Sequence, residues 1–264
     1  MSGFDTSWLS LREPADRAAR NPVLLRRLAA VLAEGERAPH VMDIGCGTGS
    51  TYRTLSARLP QATDWLLVDY DPALLGEASR LIGRPEVKTL QQDLTDLESL
   101  TLDGIDLLTA SAFFDLCSLS FCEDLAARLA KHNVALYAAL NYDGRIIWTN
   151  RHVLDIQIVR SFNRHQATDK GFGEALGPMA TPHLKSVFQG LGYEVLTGDS
   201  PWRIGPGEEA LHRAFVEGMV APVLEMGDVD RASVESWRDQ RLADIDQGGS
   251  CLVGHLDLLA LPPR

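Results

Sequence analysis

The chain has 264 residues, 45% hydrophobic and 23% charged, the composition of an ordinary globular protein long enough to bury one large core. Its 36 acidic and 25 basic side chains give a net charge of −11, and the basic ones are scattered apart from Arg20, Arg26 and Arg27, which argues against a nucleic-acid partner. No apolar run approaches the roughly 20 residues that cross a bilayer, and the N-terminus lacks the layout of a secretory signal.

The four cysteines form no C-x-x-C pair and no cluster with histidine: Cys46, Cys117, Cys122 and Cys251. Such a set is typical of free thiols in a reducing compartment. We therefore expect a cytoplasmic protein without a membrane partner. No linker divides the chain, so we predict a single domain, 1–264, made of an N-terminal helical segment (1–37), a core (38–142) and a second half (143–264).

Two helices are predicted before the first strand. A short one covers Glu13 to Arg20, and a longer one starts at Asn21-Pro22, an N-cap residue followed by proline at the first helical position. Apolar residues at helical spacing carry the second helix as far as Gly35.

The central feature is the stretch VMDIGCGTGS, residues 41–50. An apolar strand end runs into Gly45, Gly47 and Gly49, and glycine allows left-handed backbone angles and a close approach of a ligand. A helix from Ser50 to Leu59 is predicted to follow, its free N–H groups facing the ligand.

The spacing of these glycines indicates the class of ligand. A dinucleotide turn is G-x-G-x-x-G, which accepts a pyrophosphate, whereas this chain has D-x-G-x-G-x-G. The carboxylate of Asp43 would repel a phosphate and attract an ammonium or sulfonium group. The pattern therefore disfavours a dehydrogenase.

Strands and helices alternate from 39 to 142, with near-continuous apolar strands at 39–44, 65–69, 86–90, 104–110 and 134–141. Such strands are typical of a parallel sheet covered by helices on both faces. Asp69, Asp93 and Ser111 all follow or end predicted strands, and ligands of these sheets bind at the carboxyl ends. The polar residues therefore indicate one site at that edge.

The second half contains a predicted helix from His152 to Gln166, a helix starting at Thr181-Pro182 and a strand from Tyr193 to Thr197. Two amphipathic helices divided near Gly227-Asp228 follow, and CLVGHLDLLAL forms the last strand. The predicted fold is α/β: a doubly wound, mostly parallel seven-stranded sheet with an antiparallel strand at the end. Helical insertions follow strands five and six.

The ordered motifs over residues 38–142 resemble those of class I, Rossmann-like, S-adenosylmethionine-dependent methyltransferases. The resemblance implies S-adenosylmethionine as cofactor, with Asp43 and the 45–49 turn holding its amino acid part, Asp69 the ribose and Asp93 the adenine. It also implies that a segment before the first strand forms a lid, which would bring Trp8, Arg12 and Arg20 to the site. The full cofactor-binding set predicted is Asp43, Gly45, Cys46, Gly47, Gly49, Asp69, Tyr70, Asp93, Leu94, Ser111 and Ala112.

The acceptor side is less constrained by the sequence, because methyl transfer from a sulfonium needs a base only if the acceptor must lose a proton. His165 and Tyr142 are the catalytic candidates, since histidine acts as a base near neutral pH and Tyr142 follows the fifth strand. Phe114, Asn141, Asn163 and Lys170 are the predicted substrate-binding residues. Asp115 with Asp143 and Asn141 would echo the magnesium-dependent catechol-type enzymes, but their neighbours depart from that pattern, so no metal is expected.

The sequence contains no N/D-P-P-Y box and no Pro-Cys pair after the fourth strand, the signatures of amide- and adenine-amino methyltransferases and of cytosine C5 enzymes. The favoured function is therefore methyl transfer to a small molecule or metabolite by in-line displacement. An RNA- or protein-directed enzyme and a non-catalytic S-adenosylmethionine-binding protein remain as alternatives. The exposed faces of the late helices are able to pair two chains as a homodimer.

Overall fold

The computed structural model describes residues 5–263 and begins with two helices, α1 (Thr6–Ala19) and α2 (Pro22–Ala33). The side chain of Asn21 accepts hydrogen bonds from the N–H groups of Val23 and Leu24, as the Asn-Pro pair predicts. Helix α1 starts at Thr6 rather than at Glu13, because Asp5 caps it through the N–H group of Ser7.

Strands and helices then alternate through the core: β1 (His40–Ile44), α3 (Ser50–Leu55), β2 (Asp64–Asp69), α4 (Pro72–Ile82), β3 (Lys88–Gln91), β4 (Leu107–Ser111), α5 (Leu119–Lys131) and β5 (Ala135–Trp148). Three predicted bounds in this core were wrong by three residues or more. Helix α3 ends at Leu55 instead of Leu59, β4 begins at Leu107 instead of residue 104, and β5 continues past residue 141 as far as Trp148.

The second half contains α6 (Asp155–Gln166), α7 (Ala180–Gly190), β6 (Glu194–Asp199), β7 (Trp202–Ile204), α8 (Glu209–Met226), α9 (Arg231–Asp246) and β8 (Cys251–Leu261). The predicted division near Gly227 is confirmed, since Gly227 caps α8 in a left-handed conformation at φ 71°. The short strand β7 was not predicted, and it brings the strands of the described residues to eight.

The sheet has the order β3-β2-β1-β4-β5-β8-β6, with β7 also paired to β8. Strands β1 to β5 run parallel to one another, and β8 is antiparallel to β5, β6 and β7. The late helices do not prevent β6 from pairing with β8, from Glu194↔Leu261 to Asp199↔Leu256. The antiparallel strand therefore lies between β5 and β6, with β6 at the edge, and the doubly wound α/β fold is confirmed.

Three apolar clusters form the interior. One lies on each face of the sheet, and the third joins the extended end of β5 and β8 to the insertion helices. The guanidinium of Arg241 on α9, 1% exposed, forms ion pairs of 2.7 Å with Asp155 of α6 and 3.0 Å with Asp244. Because a buried cation is stable only when it is paired, the contact with Asp155 holds α9 against α6.

No helix within residues 5–263 has the length and apolar character required to span a bilayer.

Candidate functional site

A cavity of about 1020 Å³ lies at the carboxyl ends of β1, β2 and β4. Its walls come from the glycine turn, from the ends of β2 and β4, from the loop after β3 and from helix α1. This first cavity is lined by Leu9, Arg12, Asp16, Gly45, Cys46, Gly47, Thr48, Ser50, Thr51, Asp69, Tyr70, Leu74, Asp93, Leu94, Ser111, Ala112, Phe113, Leu116 and Phe172. Nine of the eleven predicted cofactor residues are among them.

The glycine turn leaves no room for side chains at its first position. Gly45 and Gly47 have φ angles of 57° and 53°, and a Cβ atom on Gly45 would lie 2.8 Å from Cδ2 of Phe113. The N–H group of Gly47 donates to Oδ2 of Asp69 at 2.8 Å, and the N–H group of Asp71 donates to Oδ1 at 3.1 Å. Asp69 therefore fixes the turn while facing the cavity.

Asp43 is the main departure from the prediction. It is 1% exposed, does not line the cavity, and its Oδ1 accepts a hydrogen bond of 2.7 Å from Oγ1 of Thr109. Burial raises the pKa of Asp43 to about 7, and the Thr109 hydrogen bond and the nearby Arg20 oppose that rise. The carboxyl group lies beneath the turn because its strand faces inward at that position. Gly49 also lies outside the cavity wall, where it caps α3 at φ 81°.

Arg20 is buried next to the wall of the first cavity. Its Nη2 donates to Oγ1 of Thr51 at 3.2 Å and to Oγ of Ser111 at 3.1 Å, and both hydroxyl-bearing residues line the cavity. The Nε and Nη1 atoms of Arg20 have no partner, although the residue is only 3% exposed. A buried guanidinium with open donors lies directly behind the cavity.

The far end of the first cavity contains Tyr70, 36% exposed, with Asp93 and Leu94. Oδ1 of Asp93 accepts from the N–H group of Thr95 at 2.9 Å and from its hydroxyl at 2.8 Å. These hydrogen bonds hold the pKa of Asp93 below its ordinary value, so the residue carries a charge at neutral pH. Burial raises the pKa of the Cys46 thiol, which makes it a neutral part of the wall rather than a nucleophile.

A second cavity of about 1160 Å³ adjoins the first, and Arg12, Ala112 and Leu116 line both. Its wall is mainly aromatic and aliphatic: Trp8, Arg12, Ala112, Asp115, Leu116, Leu140, Tyr142, Phe162, Gln166, Lys170, Trp202, Ala214, Phe215, Gly218, Pro222, Val253 and His255. Ala112 and Leu140 both have positive φ angles, of 49° and 55°. Strained backbone of this kind is concentrated at functional sites.

The titratable side chains that line the second cavity include Asp115, Tyr142 and His255. Asp115 is 7% exposed with Oδ1 unpartnered, and His255 is 6% exposed with Nδ1 unpartnered. Burial raises the pKa of Asp115 to about 6 and lowers that of His255 to about 3. Burial also raises the pKa of Tyr142, whose hydroxyl donates to Oδ1 of Asn163 at 2.7 Å. At pH 7 the cavity thus presents a carboxylate, a neutral imidazole and a phenol.

The predicted acceptor residues are divided by the structure. Tyr142 and Lys170 line the second cavity. Phe114 is wholly buried in the apolar cluster on one sheet face, and Phe113 takes the cavity position instead, because Phe114 turns inward on a short 3-10 turn (Phe114–Leu116). Asn141 is also fully buried, with Nδ2 close to the carbonyl groups of Ala138 and Leu256.

The other two residues predicted on the acceptor side, His165 and Asn163, lie on α6 and outside both cavities. Nε2 of His165 lies 3.0 Å from Oε2 of Glu225 on α8, and Nδ1 lies 3.3 Å from Nζ of Lys170. Asn163 accepts from Tyr142 and donates to the carbonyl of Gly144 at 2.9 Å. Because both the oxygen and the nitrogen of its amide form hydrogen bonds, the side chain of Asn163 holds Tyr142 in place.

Helix α1 closes one side of both cavities. The indole N–H of Trp202 donates to Oδ1 of Asp16 at 2.8 Å, and Nε of Arg12 donates to Oδ2 of the same carboxylate at 2.8 Å. Arg53 of α3 forms an ion pair with Glu13. Trp8 and Arg12 therefore reach the site as expected of the N-terminal segment, whereas Arg20 acts from behind the wall.

Asp16 and His255 were missed by the sequence reasoning. The spacing of Arg12 and Asp16, one helical turn apart, could have indicated that they share a face. His255 had no comparable signal.

Among residues 5–263, no group of three or more histidine, cysteine, aspartate or glutamate side chains is arranged to hold a metal ion.

Comparison with known proteins agrees with this geometry. Residues 41–133 match the family model described as the methyltransferase domain. A methyltransferase from Geobacter sulfurreducens, solved with S-adenosyl-L-homocysteine, aligns over 100% of both chains with 16% identity and a TM-score of 0.50. No curated protein sequence matches this chain.

Two further solved structures share the fold. A cyclopropane synthase from Mycobacterium tuberculosis has 13% identity and a TM-score of 0.50, covering 97% of this chain and 94% of its own. A phosphoethanolamine N-methyltransferase from Haemonchus contortus has 11% identity and a TM-score of 0.51, covering 100% of this chain and 59% of its own.

The fold and the turn at the sheet edge are those of the class I methyltransferase architecture, and the walls of the first cavity are acidic and rich in glycine. Residues 41–133 match the methyltransferase-domain model, and the fold is that of solved S-adenosylmethionine-dependent methyltransferases.

Proposed function

We propose that the protein methylates a small, largely apolar molecule that binds in the second cavity. The observation that carries this proposal is the junction of the two cavities, at which Arg12, Ala112 and Leu116 line both. A donor in the first cavity would then present its methyl group at Ala112 to an acceptor in the second. The aromatic and aliphatic wall favours an apolar acceptor because buried polar groups need partners.

S-adenosylmethionine supplies an activated methyl group on a sulfonium, so the protein chiefly binds, orients and excludes water. In this proposal Asp69 accepts hydrogen bonds from the ribose hydroxyls, and Asp93 accepts one from the adenine amine. The glycine turn gives the nucleoside room. Arg20 binds the carboxylate end through its open donors or through Thr51 and Ser111.

A macromolecular acceptor is less well supported. An RNA substrate would need a positive surface at the cavity mouth, whereas the chain has a net charge of −11. A cytoplasmic location and a homodimer stay predictions.

The role of Asp69 is tested by Asp69→Ala. We expect the Kd of S-adenosylhomocysteine to rise at least about tenfold, because the variant loses the ribose acceptor and the brace on the N–H group of Gly47. Isothermal titration calorimetry measures this change. Asp71→Ala is the matched control: Asp71 caps α4 through the N–H group of Ala73 and does not line the cavity, so it should lose stability but not affinity.

Unchanged affinity in Asp69→Ala would show that the ribose contact is misassigned. The acceptor class is tested separately by incubating the wild-type protein with isotopically labelled S-adenosylmethionine and pools of small metabolites. A labelled low-mass product supports the proposal. Label that appears only in RNA or protein would contradict it.

A further inference from the structure

We propose that Asp115 is the proton acceptor of the transfer reaction and that the acceptor group is a hydroxyl on an uncharged apolar molecule. This inference rests on the proposed function and deepens it, since it assigns a residue and an acceptor atom to the second cavity. It is carried by an unpartnered carboxyl oxygen on a residue that lines the cavity beside the junction.

The position of Asp115 follows from the strand before it. Strand β4 ends at Ser111, Ala112 lines both cavities, and the 3-10 turn Phe114–Leu116 places Asp115 in the wall of the second cavity. Leu116, the next residue, also lines both cavities. A group that binds to Asp115 would thus lie beside the point at which the methyl group would arrive.

One oxygen of the Asp115 carboxyl group receives no hydrogen bond from the protein. Asp115 is 7% exposed, and its Oδ1 is buried without a hydrogen-bond partner. An unpartnered buried acceptor costs about 1–3 kcal/mol, and more when it is charged. A donor supplied by the acceptor molecule, such as a hydroxyl, removes that cost on binding.

The other titratable groups in this part of the cavity are poorer candidates. The pKa of His255 is lowered to about 3 by burial and by Arg12, so its imidazole binds a proton weakly. Burial raises the pKa of Tyr142, and its hydroxyl already donates to Asn163. Burial raises the pKa of Asp115 to about 6, near the value at which a general base works at neutral pH.

The charges of the wall indicate the kind of acceptor. Arg12 and Lys170 are basic and Asp115 is the acidic residue of the lining. Arg12 is paired with Asp16, so an ammonium acceptor would meet the cation of Lys170, which disfavours a charged amine. An uncharged hydroxyl meets no such repulsion, and the aromatic rings of Trp8, Trp202 and Phe215 provide contact area for its apolar body.

The step balances without a further reactant. The hydroxyl oxygen forms the new bond to the methyl carbon as the carbon–sulfur bond breaks, and that electron pair goes to sulfur. The hydroxyl proton moves to the carboxylate of Asp115, from which it passes to solvent when the product leaves. The products are a methyl ether, S-adenosylhomocysteine and a proton.

The test uses two fluorescent probes, 2-naphthol and 2-methoxynaphthalene. The second has a methyl group in place of the hydroxyl proton of the first. Each is titrated into the full-length protein saturated with S-adenosylhomocysteine at about pH 8. We expect the wild-type protein to prefer 2-naphthol by about tenfold, since a hydrogen bond to a charged group is worth that factor or more. Asp115→Asn should reduce this preference to about twofold or less.

The pH dependence gives a readout that a purely structural role would not move. The titratable groups that interact with Asp115 are Arg12 of α1, Tyr142 of β5 and Cys117 on its own segment, and His255 of β8 and Lys170 after α6 line the same cavity. Wild-type affinity for 2-naphthol should fall as the pH is lowered through about 6, because Asp115 then becomes protonated. In Asp115→Asn the affinity should be independent of pH over that range.

Three variants make the result decisive. Asp143→Asn removes a carboxylate near Tyr142 that does not line the cavity, and it should behave as wild type. His255→Gln should keep the preference for 2-naphthol. If His255→Gln loses the preference and Asp115→Asn keeps it, the proton acceptor is misassigned.

Binding of S-adenosylhomocysteine distinguishes a failure of the inference about Asp115 from a failure of the proposed function. An affinity in Asp115→Asn within about twofold of wild type shows that the fold is intact, and a wild-type protein that then prefers neither probe overturns the inference alone. Failure of the wild-type protein to bind S-adenosylhomocysteine would overturn the proposed function instead.

Discussion

At the scale of single residues, the first cavity depends on a glycine turn in which a side chain would not fit. Gly45 combines a φ of 57° with the ring of Phe113 at 2.8 Å from where a Cβ would lie, so any substitution meets both strain and a clash. The same ring lines the cavity. Movement of Phe113 would therefore alter the site as well as the core.

We predict that Gly45→Ala lowers both the free energy of unfolding and the affinity for S-adenosylhomocysteine. The control is Gly83→Ala: Gly83 has a similar φ of 63° but nothing within 4 Å of a Cβ. The control should lose about 1–2 kcal/mol from left-handed strain and keep its affinity. Gly45→Ala should lose more stability, by about 1–3 kcal/mol of overpacking, and about tenfold in affinity. Chemical denaturation and calorimetry measure the two quantities, and equal losses in both variants would exclude the clash.

At the scale of elements, helix α1 belongs to the site although it precedes the first strand. Its contacts to the body of the protein run through Asp16 to Trp202 of β7 and through Glu13 to Arg53 of α3. Asp16 is 6% exposed and accepts from both Arg12 and Trp202. A few hydrogen bonds donated to acidic side chains thus help to hold the wall shared by the two cavities.

The expected effect of Trp202→Phe is local opening of α1. The variant keeps an aromatic ring but loses the indole N–H that donates to Asp16, so amide hydrogen exchange over residues 6–19 should become about tenfold faster. Trp148→Phe is the matched control, because Trp148 lies in the same apolar cluster and its indole nitrogen has no partner. If both variants accelerate exchange over α1 equally, lost ring volume rather than the hydrogen bond is responsible.

At the scale of the whole molecule, the parts that local pattern controls were predictable. The alternation of strands, the glycine turn and the acids after β2 and β3 are short-range features, and nine of the predicted cofactor residues line the first cavity. Asp43 lies in the core instead of the cavity wall because a residue two positions before a turn can face either side, and spacing alone does not decide between them.

The second cavity depends on long-range pairing that no local pattern encodes. His255 reaches it because β8 pairs with β5 in the register Tyr142↔His255, after a bulge in β5 at Ala138/Asn141. A slip of one residue would turn that side chain to the opposite face. Asp16 likewise meets Trp202 only because β7 pairs with β8, and the strand β7 was not predicted.

Burial of carboxyl groups in these cavities also affects global stability. Burial raises the pKa of Asp115 from its ordinary 3.8 to about 6, so the folded protein holds the proton more tightly than the unfolded chain. The stabilisation is therefore complete below about pH 4 and is lost as the pH rises through about 6. The difference corresponds to about 3 kcal/mol at most, because the residue is nearly inaccessible to solvent.

We therefore predict that Asp115→Asn gains stability relative to wild type as the pH is raised from about 4 to about 8, by up to about 3 kcal/mol. Urea denaturation across this range measures the difference between the two proteins, which cancels the titration of all other groups. Asp93→Asn provides the opposite case, because hydrogen bonds from Thr95 lower the pKa of Asp93. That variant should lose stability relative to wild type as the pH is raised over the lower part of the range. A flat difference for Asp115→Asn would mean that the carboxyl group remains hydrated when the protein folds.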